Sequence, residues 1–300
     1  MSDLHGFARA VWLPAERLKG YEPNREATRQ GIVDDPRQLL SGARSVLVAA
    51  MPFAWFSPWP KGHAEVSAFY FLSQRAHKAI AEWAEALRAE GVSVDARQLL
   101  PAKMLGKLAG FGTIGRNTLL RNDEWGSCFT LRTLVTDREP DAAIDPLPAR
   151  DCGDCRCCVE ACPTGALDGK GNLNTERCLR AHMMNGEVTP PDLRKPMGSR
   201  LLGCEICQRV CPHNARVPQI APPCEPFRLA KLLNGRRADL DAVGEAIGWN
   251  EARLQRVQAQ SALIAGNSGD ASHREALQAL RNHPRPAVSE HAAWALERLL

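Results

Sequence analysis

The sequence predicts a multidomain chain of mixed class, α+β or α/β, and three observations carry the prediction. Strand and helix patterns alternate over the first 145 residues, nine of the eleven cysteines crowd into 60 residues in the middle, and helical stretches close the chain. The domains expected are an N-terminal α/β domain over 1–145, a cysteine-rich domain over 146–216 and a helical tail over 225–300.

The elements follow in order. SVLVAAM, Ser45–Met51, reads as a buried strand. From Val66 to Glu90 the apolar residues Phe69, Leu72, Ala76, Ile80, Trp83 and Leu87 recur at helical spacing, and Gly91 closes the helix. Short strands are expected at Val92–Ala96 and Cys128–Asp137, with the glycine-rich Ala109–Leu120 between them. Three prolines make Arg138–Asp151 read as a linker, and the proline-rich Val217–Pro226 marks a second boundary. A tail helix is expected in Asn250–Gly266, stopped by the turn Gly266-Asn267-Ser268-Gly269. Ser272–His283 reads as a second, broken by Pro284 and Pro286, and Val288–Leu300 as a third. Helix pairs of this length resemble HEAT-type repeats, and their small number suits a docking surface rather than a solenoid.

Composition excludes little but sets limits. Hydrophobic residues make up 44% of 300, enough for a core without covalent staples. A net charge of +4 permits a polyanionic partner without requiring one. The N-terminal sequence has no long apolar run, and no stretch approaches the roughly 20 apolar residues of a membrane span. A cytoplasmic protein with no membrane partner is expected, and nothing in the pattern calls for more than a monomer. In a reducing compartment, crowded cysteines point to metal rather than disulfides.

The cysteine spacing names the metal chemistry. Cys152, Cys155, Cys158 and Cys162 form C-x2-C-x2-C-x3-C, followed by Pro163. This is a bacterial ferredoxin run, in which three close cysteines hold one [4Fe–4S] cube and the fourth reaches the other. Cys204, Cys207 and Cys211, followed by Pro212, make a second half that lacks one local ligand, which Cys178 can supply. The reciprocal rule assigns Cys152, Cys155, Cys158 and Cys211 to one cluster, and Cys162, Cys178, Cys204 and Cys207 to the other. The middle domain is therefore expected to be a ferredoxin-like double [4Fe–4S] domain. Structural zinc also uses C-x2-C pairs, but it does not explain two C-x3-C-P continuations. Cys128, Cys157 and Cys224 are left over as ordinary thiols.

A carrier needs little beyond such a module, so the N-terminal domain implies an electron acceptor, either substrate or cofactor. Gly110, Gly112, Gly115 and Asn117 are the best candidate contacts for it, because glycines let backbone approach a ligand. The spacing departs from G-x-G-x-x-G and no strand precedes it, which makes a dinucleotide site weak. A tight turn explains the same residues equally well.

The chain resembles the epoxyqueuosine reductase family. The resemblance lies in Leu39–Phe53, Ala109–Asp137, Cys152–Asp168, Glu176–Cys178, Gly203–Asn214 and the tail segments NSGD and HAAWALERL. It implies cobalamin as a further cofactor, bound between the N-terminal and cluster domains. It also implies tRNA as partner, an external low-potential electron donor, and reduction of epoxyqueuosine to queuosine at the wobble position. It offers Asp95 as the catalytic general acid. After Asp95 stand Ala96, Arg97 and Gln98, where the family has D-[ST]-x-P-x-x-E, and Lys103 is a second candidate for a proton donor or anion contact. Arg236, Arg237, Arg253, Arg256, Arg274 and Arg281 give the tail a face able to follow phosphates, though interleaved acids fit a plain solvated surface. The alternatives are a paralogous corrinoid-linked reductase and a non-catalytic [4Fe–4S] electron-transfer protein.

Overall fold

The computed structural model describes residues 4–18, 31–140 and 144–299. The linker expected over 138–151 and the last tail helix run partly outside the described residues. The fold is mixed α/β and divides into two compact units that do not follow chain order. One takes the chain up to Phe53, then Leu72–Cys155 and Cys211–Val217; the other takes Ala54–Phe71, Arg156–Val210 and Pro218 onward.

The first unit contains β1 (Arg9–Pro14), β2 (Ser45–Pro52), most of α1 (Ala68–Ala89), β3 (Val94–Asp95), α2 (Ala102–Leu108), the hairpin β4 (Thr113–Ile114) and β5 (Leu120–Arg121), and β6 (Phe129–Thr136). Four of these strands form a sheet in the order β1-β2-β6-β3, antiparallel at every step. β2 and β3 run parallel with β6 between them, so β2-α1-β3 is a split βαβ unit. The unbroken apolar run of β2 has a simple cause: both its faces are covered. Leu47, Ala49 and Met51 pack with Ala76, Ile80, Trp83 and Leu87 of α1. Val46, Val48 and Ala50, pointing the other way, pack with Leu105, Phe111, Leu120 and Val135. β1 has no counterpart in the expected elements. Its alternation places Val11 and Leu13 on one face and Trp12 on the other.

The second unit contains α3 (Cys157–Glu160), α4 (Ile206–Arg209), α5 (Leu229–Asn234), α6 (Arg237–Ile247), α7 (Leu254–Ser268), α8 (Arg274–Leu280) and α9 (Pro286–Arg298). Its tail helices have no core of their own. Leu179, Met183, Leu201 and Leu202 share one apolar cluster with Phe227, Leu232, Leu263 and Val288. α7 is buried from Val257 to Gly266, and its polar residues are paired accordingly. Gln258 donates to the Leu233 carbonyl at 2.9 Å and Gln260 to that of Arg200 at 2.8 Å.

The expected stop of this helix at Gly266 is corrected. α7 runs on to Ser268 and ends at Gly269, whose φ of 70° is the left-handed cap. Gly266 stays helical because contact requires it: a Cβ there would lie 2.8 Å from the Cα of Ala295 in α9. Asn267, instead of turning the chain, donates to the carbonyls of Arg194 and Gly198 at 2.9 and 3.2 Å. No described helix is long and apolar enough to cross a membrane.

His291 of α9 is 1% exposed and uses both ring nitrogens. Nε2 accepts from the Thr189 amide at 2.9 Å, and Nδ1 donates to the Ala259 carbonyl at 3.0 Å. Burial lowers its pKa from 6.5 to about 4. The folded form thus refuses a proton that the unfolded chain accepts, so stability is full above pH 6.5 and falls as pH drops towards about 4. His291→Asn should lose most of this fall. Urea unfolding at pH 7 and pH 4 should show the wild type losing about 3 kcal/mol more than the variant across that window, a figure set by the pKa gap between 6.5 and about 4.

Candidate functional site

The cysteines of the second unit are electrostatic neighbours. Burial, and then the charges of Cys204, Cys158, Cys178 and Cys162, push the Cys207 thiol up to about 12. Burial raises Cys204 too, with Cys178 and Cys162 again among the causes. Each sulfur is placed by a short local element. Cys162 follows α3, Cys178 precedes the helix Leu179–His182, Cys204 follows the strand Arg200–Leu202, and Cys207 sits in α4. Cys162 differs from its neighbours. Burial raises it, but the donors of Thr164, Gly165 and Ala166 outweigh that and hold its thiol below the ordinary value. The Ala166 amide donates to its sulfur at 3.3 Å.

In the first unit Cys152, Cys155 and Cys211 are neighbours in the same sense. Burial raises Cys211, Arg121 lowers it, and Cys152 and Cys155 raise it. Cys158, three residues beyond Cys155, belongs to the second unit. Asn214 anchors the segment that carries Cys211. Its Oδ1 accepts from the Ser127 amide at 2.7 Å, and a Cβ on Gly126 would lie 2.0 Å from the same oxygen. Among the described residues no group of three or more His, Cys, Asp or Glu side chains closes on a single point. Of the remaining cysteines, Cys128 is buried, Cys157 is exposed, and Cys224 donates to the Pro222 carbonyl at 3.3 Å.

The glycine segment turns inward. Gly110 has φ 74°, and a Cβ there would lie 2.9 Å from the Cα of Pro146. At Gly112, with φ 141°, it would lie 2.0 Å from the Arg121 carbonyl oxygen. At Gly115 it would lie 3.0 Å from Asn117 Oδ1 and 3.2 Å from Arg121 Nε. All three glycines are accounted for by close contacts with the chain's own atoms. Asn117 is buried, with Oδ1 accepting from the Leu119 amide at 3.4 Å and Nδ2 unpartnered. The segment is tied to the cysteines instead. Arg116 donates to the Gly153 carbonyl at 2.7 Å, and Arg121 donates to Cys152 Sγ at 3.4 Å. Sequence reading passed over Arg121, which lies in a run that resembles an ordinary polar turn.

Asp95 ends β3 at the edge of the sheet. Both of its oxygens are held by Arg97: Oδ1 accepts from the backbone amide at 2.9 Å, and Oδ2 from Nε at 2.8 Å and Nη2 at 2.6 Å. Lys103 lies on the exposed face of α2, yet desolvation of its ammonium lowers its pKa, and its Nζ donates to the Thr118 carbonyl at 2.9 Å. In the second unit a pocket of about 300 Å³ is lined by Phe56, Trp59, Glu65, Arg200 and Arg209 among others, and by Gly203 and Glu205 on either side of Cys204. Among the tail arginines, Arg236, Arg253 and Arg281 are exposed, Arg237 pairs with Asp241 at 2.7 Å, and Arg274 donates to the Leu299 carbonyl.

These neighbourhoods define a class of protein, a double-cluster iron–sulfur protein: residues 151–214 match the family described as the 4Fe-4S double cluster binding domain. Two relatives narrow the class. The chain is 31% identical to the epoxyqueuosine reductase of Bacillus subtilis over 67% of its own length and 53% of that protein's. It is 30% identical to that of Xanthomonas campestris over 87% of its own length and 80% of the relative's. The chain belongs to the epoxyqueuosine reductase family. It spans about half the length of the B. subtilis relative. The fold agrees with a crystal structure of an epoxyqueuosine reductase with an epoxyqueuosine-modified tRNA stem loop. The TM-score is 0.78 at 24% identity, covering 98% of this chain and 87% of that one.

Gly112→Ala should lower stability by at least about 2 kcal/mol, since it combines left-handed backbone with a clash against backbone oxygen. Gly171→Ala, at φ 96° but facing open space, should cost about 1 kcal/mol. Denaturant midpoints of the two variants check the difference.

Proposed function

We propose that this chain is a cobalamin-dependent iron–sulfur reductase that converts epoxyqueuosine to queuosine in tRNA. One observation carries the reading: two neighbourhoods of crowded, buried thiols lie within a double-cluster segment of a chain from the epoxyqueuosine reductase family. Buried thiols that raise one another's pKa are poor company for charge unless a cation sits among them, and iron supplies that. We assign Cys152, Cys155, Cys158 and Cys211 to one [4Fe–4S] cluster, and Cys162, Cys178, Cys204 and Cys207 to the other.

The overall reaction needs two electrons and two protons. Both carbon–oxygen bonds of the epoxide break, the carbon–carbon double bond forms, and the oxygen leaves as water. Two one-electron clusters match that demand, refilled by an external low-potential donor. Cobalamin, when bound, supplies a low-potential cobalt centre. Gly110, Gly112, Gly115 and Asn117 are the residues proposed to contact it. The pocket lined by Gly203 and Glu205, the residues on either side of Cys204, is the proposed place for a small acceptor to approach the second cluster. Asp95 is the proposed general acid, and it must leave Arg97 to present a proton. Lys103 is the alternative donor.

The domain reading is a cofactor- and substrate-binding domain over 1–145, a ferredoxin-like double-cluster domain over 146–216 and a HEAT-like helical domain over 225–300. The exposed tail arginines suit a tRNA backbone. A monomer working in the cytoplasm completes the proposal.

Anaerobically purified protein should carry about eight irons, bind added cobalamin, and remove epoxyqueuosine from modified tRNA. Cobalamin binding with the nucleoside left intact would point to a paralogous reductase, and about eight irons without cobalamin binding to a carrier. Cys178→Ala should lose about four irons, whereas Cys157→Ala and Cys224→Ala should lose none. Asp95→Ala should keep both clusters and lose at least about 100-fold in turnover; unchanged turnover removes it as the acid.

A further inference from the structure

Arg121 is 1% exposed and is the largest fully buried side chain among the described residues. Only Nη2 has a partner, Cys152 Sγ at 3.4 Å. Nε and Nη1 have none. No carboxylate pairs with this guanidinium among the described residues. A buried cation without a counter-charge is strongly disfavoured, so the position makes sense only if an anion belongs beside it. The side chain cannot reach a substrate in solvent. The atoms around it are the chain's own: Gly115 leaves room for its Nε and Cδ, and Asn117, with its own unpartnered Nδ2, flanks the same glycine. The loop that carries Cys152 is held in place. Asp151 accepts from the Gly153 amide at 2.8 Å, and the Gly153 carbonyl accepts from Arg116 at 2.7 Å. The charge of Arg121 acts on Cys211 as well as lying against Cys152.

We infer that Arg121 is the buried counter-ion and N–H donor of the cluster held by Cys152, Cys155, Cys158 and Cys211, and that it sets this cluster's potential above that of the other. The inference rests on the iron–sulfur reading and on that division of ligands. A cubane with four thiolate ligands is an anion and gains one more negative charge on reduction. A fixed cation in a dry setting therefore stabilises the reduced form more than the oxidised form, and N–H groups aimed at sulfur act in the same direction. Among the described residues no buried guanidinium donates to a sulfur of the second set. The cation that acts on Cys204 is Arg200, which is half-buried and already donates to the carbonyls of Pro196 and Met197 at 3.4 and 3.2 Å. An electron shared between the clusters then rests on the Cys152 side. Arg121 is a positioning and tuning residue, not a catalytic one.

The test is a redox titration of the anaerobic full-length protein, followed by electron paramagnetic resonance, with iron and sulfide counted on the same samples. Arg121→Met should keep about eight irons and move one of the two one-electron transitions to more negative potential. The expected size is at least a tenfold rise in the ratio of oxidised to reduced cluster at a fixed potential, about 59 mV for one electron. Arg121→Lys, which keeps the charge but not the fork of donors, should move the same transition less and serves if the methionine variant loses iron. The other transition should stay in place in both. No movement, or equal movement of both transitions, overturns the inference. Loss of about four irons in both variants overturns it too, making Arg121 a strut for the Cys152 loop. Wild-type protein with no cubane signal would sink the iron–sulfur reading itself, and is told apart from the other outcomes by its iron and sulfide content.

Discussion

Crowding ionisable sulfur where water is scarce is the constraint to which the rest of the chain answers. Cys207 shows its size, with a thiol pushed up to about 12 by burial and by the sulfurs around it. Such a site is stable only if each sulfur is neutral or is matched by positive charge. The chain meets this in local ways. Around Cys162 it turns the donors of Thr164, Gly165 and Ala166 towards the sulfur. Around Cys152 and Cys211 it brings in a whole guanidinium. The two solutions differ in kind: backbone amides stay neutral, whereas Arg121 adds a full charge.

The same constraint explains why short elements carry the cysteines. Cys162, Cys178 and Cys204 each lie at the end of a strand or helix of three or four residues, where backbone amides are not committed to a ladder. Longer elements stand behind and fix them. Leu179 and Leu201, adjacent to the Cys178 and Cys204 segments, enter the core shared with the tail helices. The tail is in this way part of what holds the Cys178 and Cys204 segments, and α7 gives up the usual polar face of a surface helix to do so. Gln258 and Gln260 show the cost, since each needs a specific carbonyl to remain buried.

What was legible in the sequence follows from which interactions are local. β2 and α1 were visible because their patterns repeat: an unbroken apolar run and a 3.6-residue spacing. The cysteine spacing was visible because turn geometry near each sulfur is set within three or four residues. Arg121 was not, because nothing in NTLLRND separates a solvated arginine from one that is 1% exposed. Gly266 misled for the opposite reason. Locally it is a helix breaker, and only its contact with Ala295, 29 positions away, shows why it stays helical. The glycines at 110, 112 and 115 fall between. Their pattern marked close approach, and atoms of Pro146, Arg121 and Asn117 are among those that approach.

Magnitudes decide how the Asp95 proposal stands beside its ion pair with Arg97. Three donors on one carboxylate would block an acid if the pair were buried. The pair is half in water: the Asp95 side chain is 14% exposed but that of Arg97 is 57%, and the two are only two residues apart. Fully exposed pairs are worth about 0–1 kcal/mol, and here the exposed arginine is the partner that water can take back, gaining freedom on release. Opening the pair is therefore a small step beside a chemical barrier, and β3 at the sheet edge lets the carboxylate turn without breaking the core beneath it. Lys103 faces a different balance. Burial already draws its pKa down, which favours release of its proton, but its Nζ is held by the Thr118 carbonyl in the same inward-packed segment that surrounds Arg121. Of the two, Asp95 is held by the contact that is easier to undo.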